Sequence, residues 1–478
     1  MSSNSRRSLQ ALLDSTPNIV DHLYRNPPKN ALTIFTQMMP GEVVRPEFTT
    51  WRDEQRSWRE TVALHDQSYH MNSLSVRGPD ALRLFERLGV NTFKTFSPGA
   101  AKQFLACSPE GHVIGDAILY YLAPEHCLLV GNPPALDWVQ FHGERGGYDV
   151  ACELDPMWAL NKARWRSYYR FQVEGPNAWK LLEKIHGGPL PEIRFFRSDV
   201  LHVAGCDVRG MRHSMGGVPG LELSGPWEDR AKVKSALIEA GREFGLRQIG
   251  SLAYFTTVIE SGWWAVPVPA VYTSPDMKAF REWLTTNHAA ARMSLGGSFY
   301  SPDIEDYYAT PWDIGHGHLV KFDHDFIGRA SLERKANAPH RRKVTLVWHP
   351  DDVIKVLQTI LQDGPTGSYI NLPLAATARM HYDKVLDADG NRVGVAHYPA
   401  YTINERAMLS LGSVDERCSK PGTELILVWG EDGGGTRSAP WIEPHVQFHI
   451  RVTVAPCPIS QATQAYWTDV KERRRALQ

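Results

Sequence analysis

Polar and apolar positions alternate along Asn72-Ser-Leu-Ser-Val-Arg77, the pattern of a half-buried strand. The chain turns at Gly78-Pro79 and enters Ala81-Leu-Arg-Leu-Phe-Glu-Arg-Leu88, where apolar residues recur at helical spacing. Pro79 suits a first helical turn, and Asp80 puts negative charge near the helix's positive end. The same events recur at Phe171-Gln-Val-Glu-Gly-Pro-Asn-Ala178 and Trp179-Lys-Leu-Leu-Glu-Lys-Ile185. Each copy is followed by a predicted strand pair. The first pair is Gln103–Ala106 with Val113–Leu122, and the second is Val200–Val203 with Cys206–Arg212. Two β-α-β-β units predict an internal duplication, and their shared order weighs against chance similarity. Each helix should cover one face of a mostly antiparallel sheet, leaving the other face free to pack or bind.

Elsewhere the pattern is less regular. Leu9–Tyr24 reads as a short helix interrupted at Pro17, residues 25–48 as loop, and Trp51–Ala63 as helix with Asp53 set to meet Arg56. Residues 216–226 form a glycine-rich turn into a short strand. They lack both GxGxxG and the Walker Gly-Lys-Ser/Thr, so a nucleotide loop is rejected. Glu222 lies there between Leu221 and Leu223. A partly buried carboxylate needs donors, supplied either by Arg212 on the preceding strand or by a ligand with N–H groups. Arg230–Phe244 reads as helix. Gly250–Trp263 then brings Tyr254, Glu260 and Trp263 close in sequence, ahead of a rigid loop with Pro267, Pro269 and Tyr272.

The charged stretch Ala330–Arg342 marks a boundary. Beyond it come strands at Lys343–Trp348, Arg392–Tyr398, Met408–Leu411, Thr423–Trp429 and Val446–Val454, with a hairpin signal at Asp387–Asn391. They predict an antiparallel barrel or sandwich. The domain division expected is 1–165, 166–330 and 331–478.

A chain of 478 residues is too long for one ordinary core, which agrees with two or three domains. Lys+Arg 52 against Asp+Glu 53 gives no global attraction to nucleic acid or an anionic membrane. The basic run Lys471–Arg475 reads as a solvated helix end. The six cysteines make no CxxC pair and read as reduced thiols. Met1–Ser15 has no signal-like apolar run, and no segment approaches the ~20 apolar residues of a membrane span. A cytoplasmic location is expected.

Among 19 histidines, Gly315-His-Gly-His318 and His445-Val-Gln-Phe-His449 are the metal candidates. The second pair alternates as a strand would, with both rings on one face. Neither fits a HExxH or CxxC pattern, so no metal is expected. No Gly-x-Ser-x-Gly elbow supports serine catalysis. The 15 tryptophans suit both packing and a pocket for flat aromatic ligands. What remains is a set of separated polar and aromatic positions: Gln67 with His70, Asp116, Gln172, Glu222, and Tyr254 with Trp263. Packing or solvation accounts for any one of them taken alone.

Their order resembles the glycine-cleavage T-protein (aminomethyltransferase) family, which binds tetrahydrofolate. The Ser-Val-Arg-Gly-Pro-Asp-Ala81 turn, Pro109–Asp116, Gly217–Glu222, Ile259–Gly262 and Asp325–Ser331 carry the likeness. It runs from about residue 50 almost to the end. DQSYHM, GHVIGDAI, RFQVEGP, GVPGLE, YFTTVIESGW, GGSFYSPDIEDYY, FDHDFIGR and WGEDGGGTR are similar to the tetrahydrofolate-dependent O-demethylases of lignin-derived aromatic acids. The resemblance implies an α+β fold of two ferredoxin-like lobes and a C-terminal β-barrel around a folate site. It implies Glu222 at the pterin N–H groups, with Gln172, Trp263 and Asp116 also on the cofactor side. It places Tyr254 at the methoxy oxygen and His70 against the aromatic acid, with Gln67 and Asn132 on the substrate side.

The chemistry asks for such a phenol. An aryl methyl ether is inert because phenolate leaves poorly, and hydrogen bonding or protonation at the ether oxygen lowers that cost. Two departures bear on the substrate. Asn132 stands where vanillate-type enzymes have an arginine, and Phe35 lies near the place of a tyrosine of theirs. Syringate is therefore the expected substrate, with vanillate or 3-O-methylgallate, or a non-catalytic folate-binding protein, as alternatives. Gly115 replaces one of the paired aspartates of the glycine-cleavage branch, which argues against aminomethyl transfer.

Overall fold

The alternating stretch 72–77 forms a strand in a computed structural model that describes residues 7–26, 44–161, 163, 165–435 and 442–475. Phe35 lies outside the described residues. β1 (Val62–Asp66) is buried along its whole length. The first lobe follows with β2 (Asn72–Arg77), β3 (Ala101–Cys107), β4 (Val113–Ala123), β5 (His126–Gly131) and β6 (Ala151–Asp155), paired in the order β3-β4-β5-β2-β6. The helices Ala81–Leu88 and Pro133–Arg145 cover one face. Leu74, Val76, Leu119 and Leu129 pack there with Leu84, Phe85, Leu136 and Val139. The alternate positions Tyr120, Leu128 and Val130 point the other way and pack on Met211 of the second lobe.

That lobe contains β7 (Tyr168–Glu174), β8 (Ser198–Val203), β9 (Cys206–Arg212), β10 (Gly220–Pro226) and β11 (Leu246–Ile249), in the order β11-β1-β7-β10-β9-β8. Without β1 this order matches the first lobe strand for strand, which is the topology of a duplication. β1 precedes the first lobe in sequence but pairs antiparallel with β7 and parallel with β11. The preceding helix accordingly stops at Glu60 rather than at Ala63. Its Asp53 pairs with Arg247 of β11 at 2.6 Å, not with Arg56, because the sheet edge lies beside that helical turn.

The Gly-Pro turns that mark the two copies require glycine. Gly78 has φ +137° and Gly175 φ +128°. A Cβ would lie 2.3 Å from the Asp149 carbonyl at the first and 2.7 Å from the Thr61 carbonyl at the second.

The third sheet holds β12 (Leu295–Gly296), β13 (Arg341–Trp348), β14 (Met380–Leu386), β15 (Arg392–Thr402), β16 (Ala407–Asp415), β17 (Glu424–Trp429) and β18 (Phe448–Ala455). β17 pairs back onto β14 and closes a six-stranded barrel, with β12 added to β14 in parallel. The sequence pattern misses β14 because its buried residues include His381 and Asp383, which breaks the alternation. His445 precedes β18 and contacts Glu431 at 3.2 Å, so it shares no strand face with His449. Among the described residues no helix is long and apolar enough to cross a membrane, and no three His, Cys, Asp or Glu side chains group as metal ligands.

A buried ionic network ties β14 to the end of β17. His381 Nε2 lies 2.8 Å from Asp383, and Glu431 accepts from the Gly297 N–H at 3.2 Å and from Thr377 Oγ1 at 2.8 Å. Burial pushes the Glu431 carboxyl up, but His445, His381 and Thr377 outweigh it and hold the group at about 2. A carboxyl lowered in the folded state stabilises fully above its ordinary 4.5 and loses that contribution as pH falls through about 2. Acid denaturation should therefore steepen across that window. Glu431→Gln should flatten this limb, and an unchanged stability-versus-pH curve would disprove the linkage.

Candidate functional site

Strand register builds the site. His65, Gln172, Glu222 and Met211 lie opposite one another across β1, β7, β10 and β9. Tyr169, Phe171 and Val173 sink into the helix-covered core, so the alternate positions Arg170, Gln172 and Glu174 face away from it. Gln172 and Glu222 thus become cross-strand neighbours on the face turned to the first lobe.

Glu222 is 2% exposed and does not stand alone. Arg170 donates to it from Nε at 3.2 Å and from Nη2 at 2.7 Å, and Tyr120 of β4 donates its hydroxyl from across the lobe interface. Arg212 is not the partner. It pairs in register with Leu221, lies over Trp179, and donates to the Ile193 carbonyl at 3.4 Å. Burial pushes the Glu222 carboxyl up, but the Arg170 guanidinium outweighs it and holds the group below the usual carboxylate range. Gln172 donates to the His213 carbonyl at 3.0 Å and faces the His213 ring.

Tyr254 ends the short helix Ser251–Tyr254, and its hydroxyl lies 3.2 Å from His70 Nε2. Burial first, then the charges of Arg170, Arg166 and Arg379, lower His70 to about 3. Burial raises the Tyr254 phenol. At neutral pH the pair is therefore an uncharged imidazole against an intact phenol. The Gln67 side chain is 2% exposed and lies against the Tyr254 hydroxyl, on which it acts as a hydrogen-bonding group. Arg170 links the two groups, since its charge acts on both Tyr254 and Glu222.

Asp116 accepts from Trp263 Nε1 at 2.9 Å and from Gln103 Nε2 at 2.7 Å, and burial raises its carboxyl to about 6. It shares a face of β4 with Tyr120, four residues or about 13 Å along the strand. Asn132 precedes the helix Pro133–Arg145, donates to the Ala265 carbonyl at 3.0 Å, and accepts from Arg379 at 3.3 Å. Glu260 joins elements of the fold. It is fully buried and accepts from Trp58, Arg59, Thr402 and Asn404, tying helix 51–60 to the barrel.

Four residues of the site escape the sequence pattern. Arg170 and Tyr120 carry a signal, because a period of two puts them on the faces of Gln172 and Asp116. Arg379 and Tyr398 carry none. Tyr398 sits at φ +64° where β15 slips register after His397, and its buried hydroxyl has no partner among the described residues. Strained residues at bulges cluster at functional sites, and this one faces Tyr254.

Residues 28–267 match the family described as the GCVT N-terminal domain. The chain belongs to that family. It is 43% identical over 470 residues to the syringate O-demethylase of Sphingobium sp. (strain NBRC 103272 / SYK-6), covering 98% of this chain and 100% of that one. It is 32% identical to the sesamin methylene transferase of Sinomonas sp. (strain No.22), over 80% of this chain and 82% of the relative. Its fold resembles the crystal structure of the glycine cleavage system aminomethyltransferase T from Bartonella henselae, with TM-score 0.57 and 17% identity over 86% of this chain and 90% of that one. The two lobes and closed barrel are the α+β architecture that the sequence motifs led us to expect.

Proposed function

We propose that this protein is a tetrahydrofolate-dependent O-demethylase that moves a methyl group from a lignin-derived methoxybenzoate, best syringate, to N5 of tetrahydrofolate and releases a phenol. The observation that carries the reading is the Tyr254–His70 pair beside the buried Gln67 amide, in a chain similar over almost its whole length to a syringate O-demethylase.

The donor set fits a reduced pterin. Glu222 offers a buried carboxylate to ring N–H groups. Its oxygens hold about four acceptor positions, and the three bonds from Arg170 and Tyr120 leave one on Oε2. Gln172 lines the same strand row, and Trp263, held by Asp116, supplies an aromatic wall. Bound tetrahydrofolate would supply the N5 nucleophile that accepts the methyl group. As the methyl–oxygen bond breaks, its electron pair goes to the aryl oxygen. Tyr254, kept protonated by burial, could donate a hydrogen bond or proton to that oxygen. The proton lost from N5 on methylation would balance the one the phenol gains, and neutral His70 could hold the Tyr254 hydroxyl in place. Gln67, His70 and Asn132 would orient the ring. The free thiols support a reducing, cytoplasmic setting.

The deciding experiment is an anaerobic assay with syringate or vanillate, with and without tetrahydrofolate, following 5-methyl-tetrahydrofolate. Folate-dependent product, faster from syringate, is expected. Folate-induced thermal stabilisation without product from either acid would move the substrate elsewhere in the family.

A further inference from the structure

Arg379 stands one residue before β14, where the barrel meets the first lobe. Its position is pinned. Its backbone N–H donates to Ser294 Oγ at 3.1 Å, and the Met380 N–H donates to the Ser294 carbonyl at 3.0 Å. The guanidinium carries five N–H donors, and the hydrogen bond it makes among the described residues is to a neutral acceptor, Asn132 Oδ1 at 3.3 Å. The buried arginines around the site are differently served. Arg166 meets Asp155 at 2.8 Å and Arg170 meets Glu222 at 2.7 Å. Among the described residues no carboxylate offsets the Arg379 charge, and burial draws its pKa down to about 10. Arg379 is half-buried, and a cation so placed without an anion is costly unless a ligand brings one. Its positive charge also acts on the ring of His70, and Asn132, which accepts from it, is a candidate substrate-side residue.

We propose that Arg379 anchors the carboxylate of the aromatic acid, gripping it from the barrel side while Asn132 steers the guanidinium. The proposal rests on the demethylase reading for the identity of the acid. A planar guanidinium can take a carboxylate through two parallel N–H···O bonds, which fixes ring orientation as well as charge. The anchor selects acids over uncharged methoxyarenes, and the barrel domain thereby contributes to specificity.

A carboxylate could also arrive on the glutamyl tail of folate, and the test separates the two. Wild type, Arg379→Gln and Arg379→Lys are titrated calorimetrically with syringate, with the matching uncharged aldehyde, and with reduced folates bearing or lacking the glutamyl group. Thermal denaturation checks each variant, and the lysine variant serves if the glutamine variant does not fold. Arg379→Gln should raise the Kd for the acid about 10- to 100-fold, the range of a lost charge-assisted pair, and leave the aldehyde unchanged. Arg379→Lys, which keeps the charge but not the fork, should fall between. Equal effects on acid and aldehyde, or none on either, would overturn the anchor. So would a loss confined to glutamyl folate. Acid binding that depends on Arg379 in a wild type with no methyl transfer would support the anchor and refute the demethylase reading instead.

Discussion

Tyr254→Phe should lower demethylation by about 10²- to 10⁴-fold, the usual worth of a positioned acid–base group, while folate affinity stays at the wild-type value. The substitution removes one oxygen. That oxygen lies 3.2 Å from His70 Nε2, and burial keeps it protonated, so the wild-type site always holds a donor there. Without it, the developing phenolate faces a neutral imidazole and the Gln67 amide alone. Glu222 and Gln172, proposed for the folate side, lie on different elements from the Tyr254 helix and keep their own bonds. Turnover should therefore fall in single-turnover kinetics with no change in folate-induced thermal stabilisation. Undiminished turnover would take Tyr254 out of the mechanism.

Glu222→Gln should act on both stability and binding. Neutralising the carboxylate leaves Arg170 buried without its anion, and breaking such a pair typically costs about 3–5 kcal/mol. It also removes the acceptor proposed for the pterin N–H groups. Glu222→Gln combined with Arg170→Met separates the two effects. The double variant should recover much of the lost stability, since no unpaired charge remains, but not the folate-dependent rise in melting temperature. A rise as large as that of wild type would remove Glu222 from the cofactor site and leave it a structural ion pair.

The candidate residues were legible to different depths. Gln172 and Glu222 could be placed on strands from local alternation, and register then made them neighbours. The reading of Glu222 as a carboxylate in need of donors was right in kind but named Arg212 in place of Arg170. The difference is one of strand parity. Arg212 lies opposite Leu221, whose side chain belongs to the helix-covered core, while Arg170 shares the face of Gln172. Asn132 could be singled out as a position, but not its contact with Arg379, which lies 247 residues further along the chain.

Sequence by itself determined the repeated strand–turn–helix units, the Gly-Pro corners and most of the barrel strands. Those features depend on the spacing of apolar side chains and on φ at single residues, which are local. Only the tertiary structure decided that β1 enters the second sheet, that β17 closes onto β14, that Tyr120 reaches across the lobes to Glu222, and that Arg379 of the barrel meets Asn132 of the first lobe. These pairings join residues far apart in the chain. Burying two sheet faces against each other selects them, and no local pattern encodes that energy.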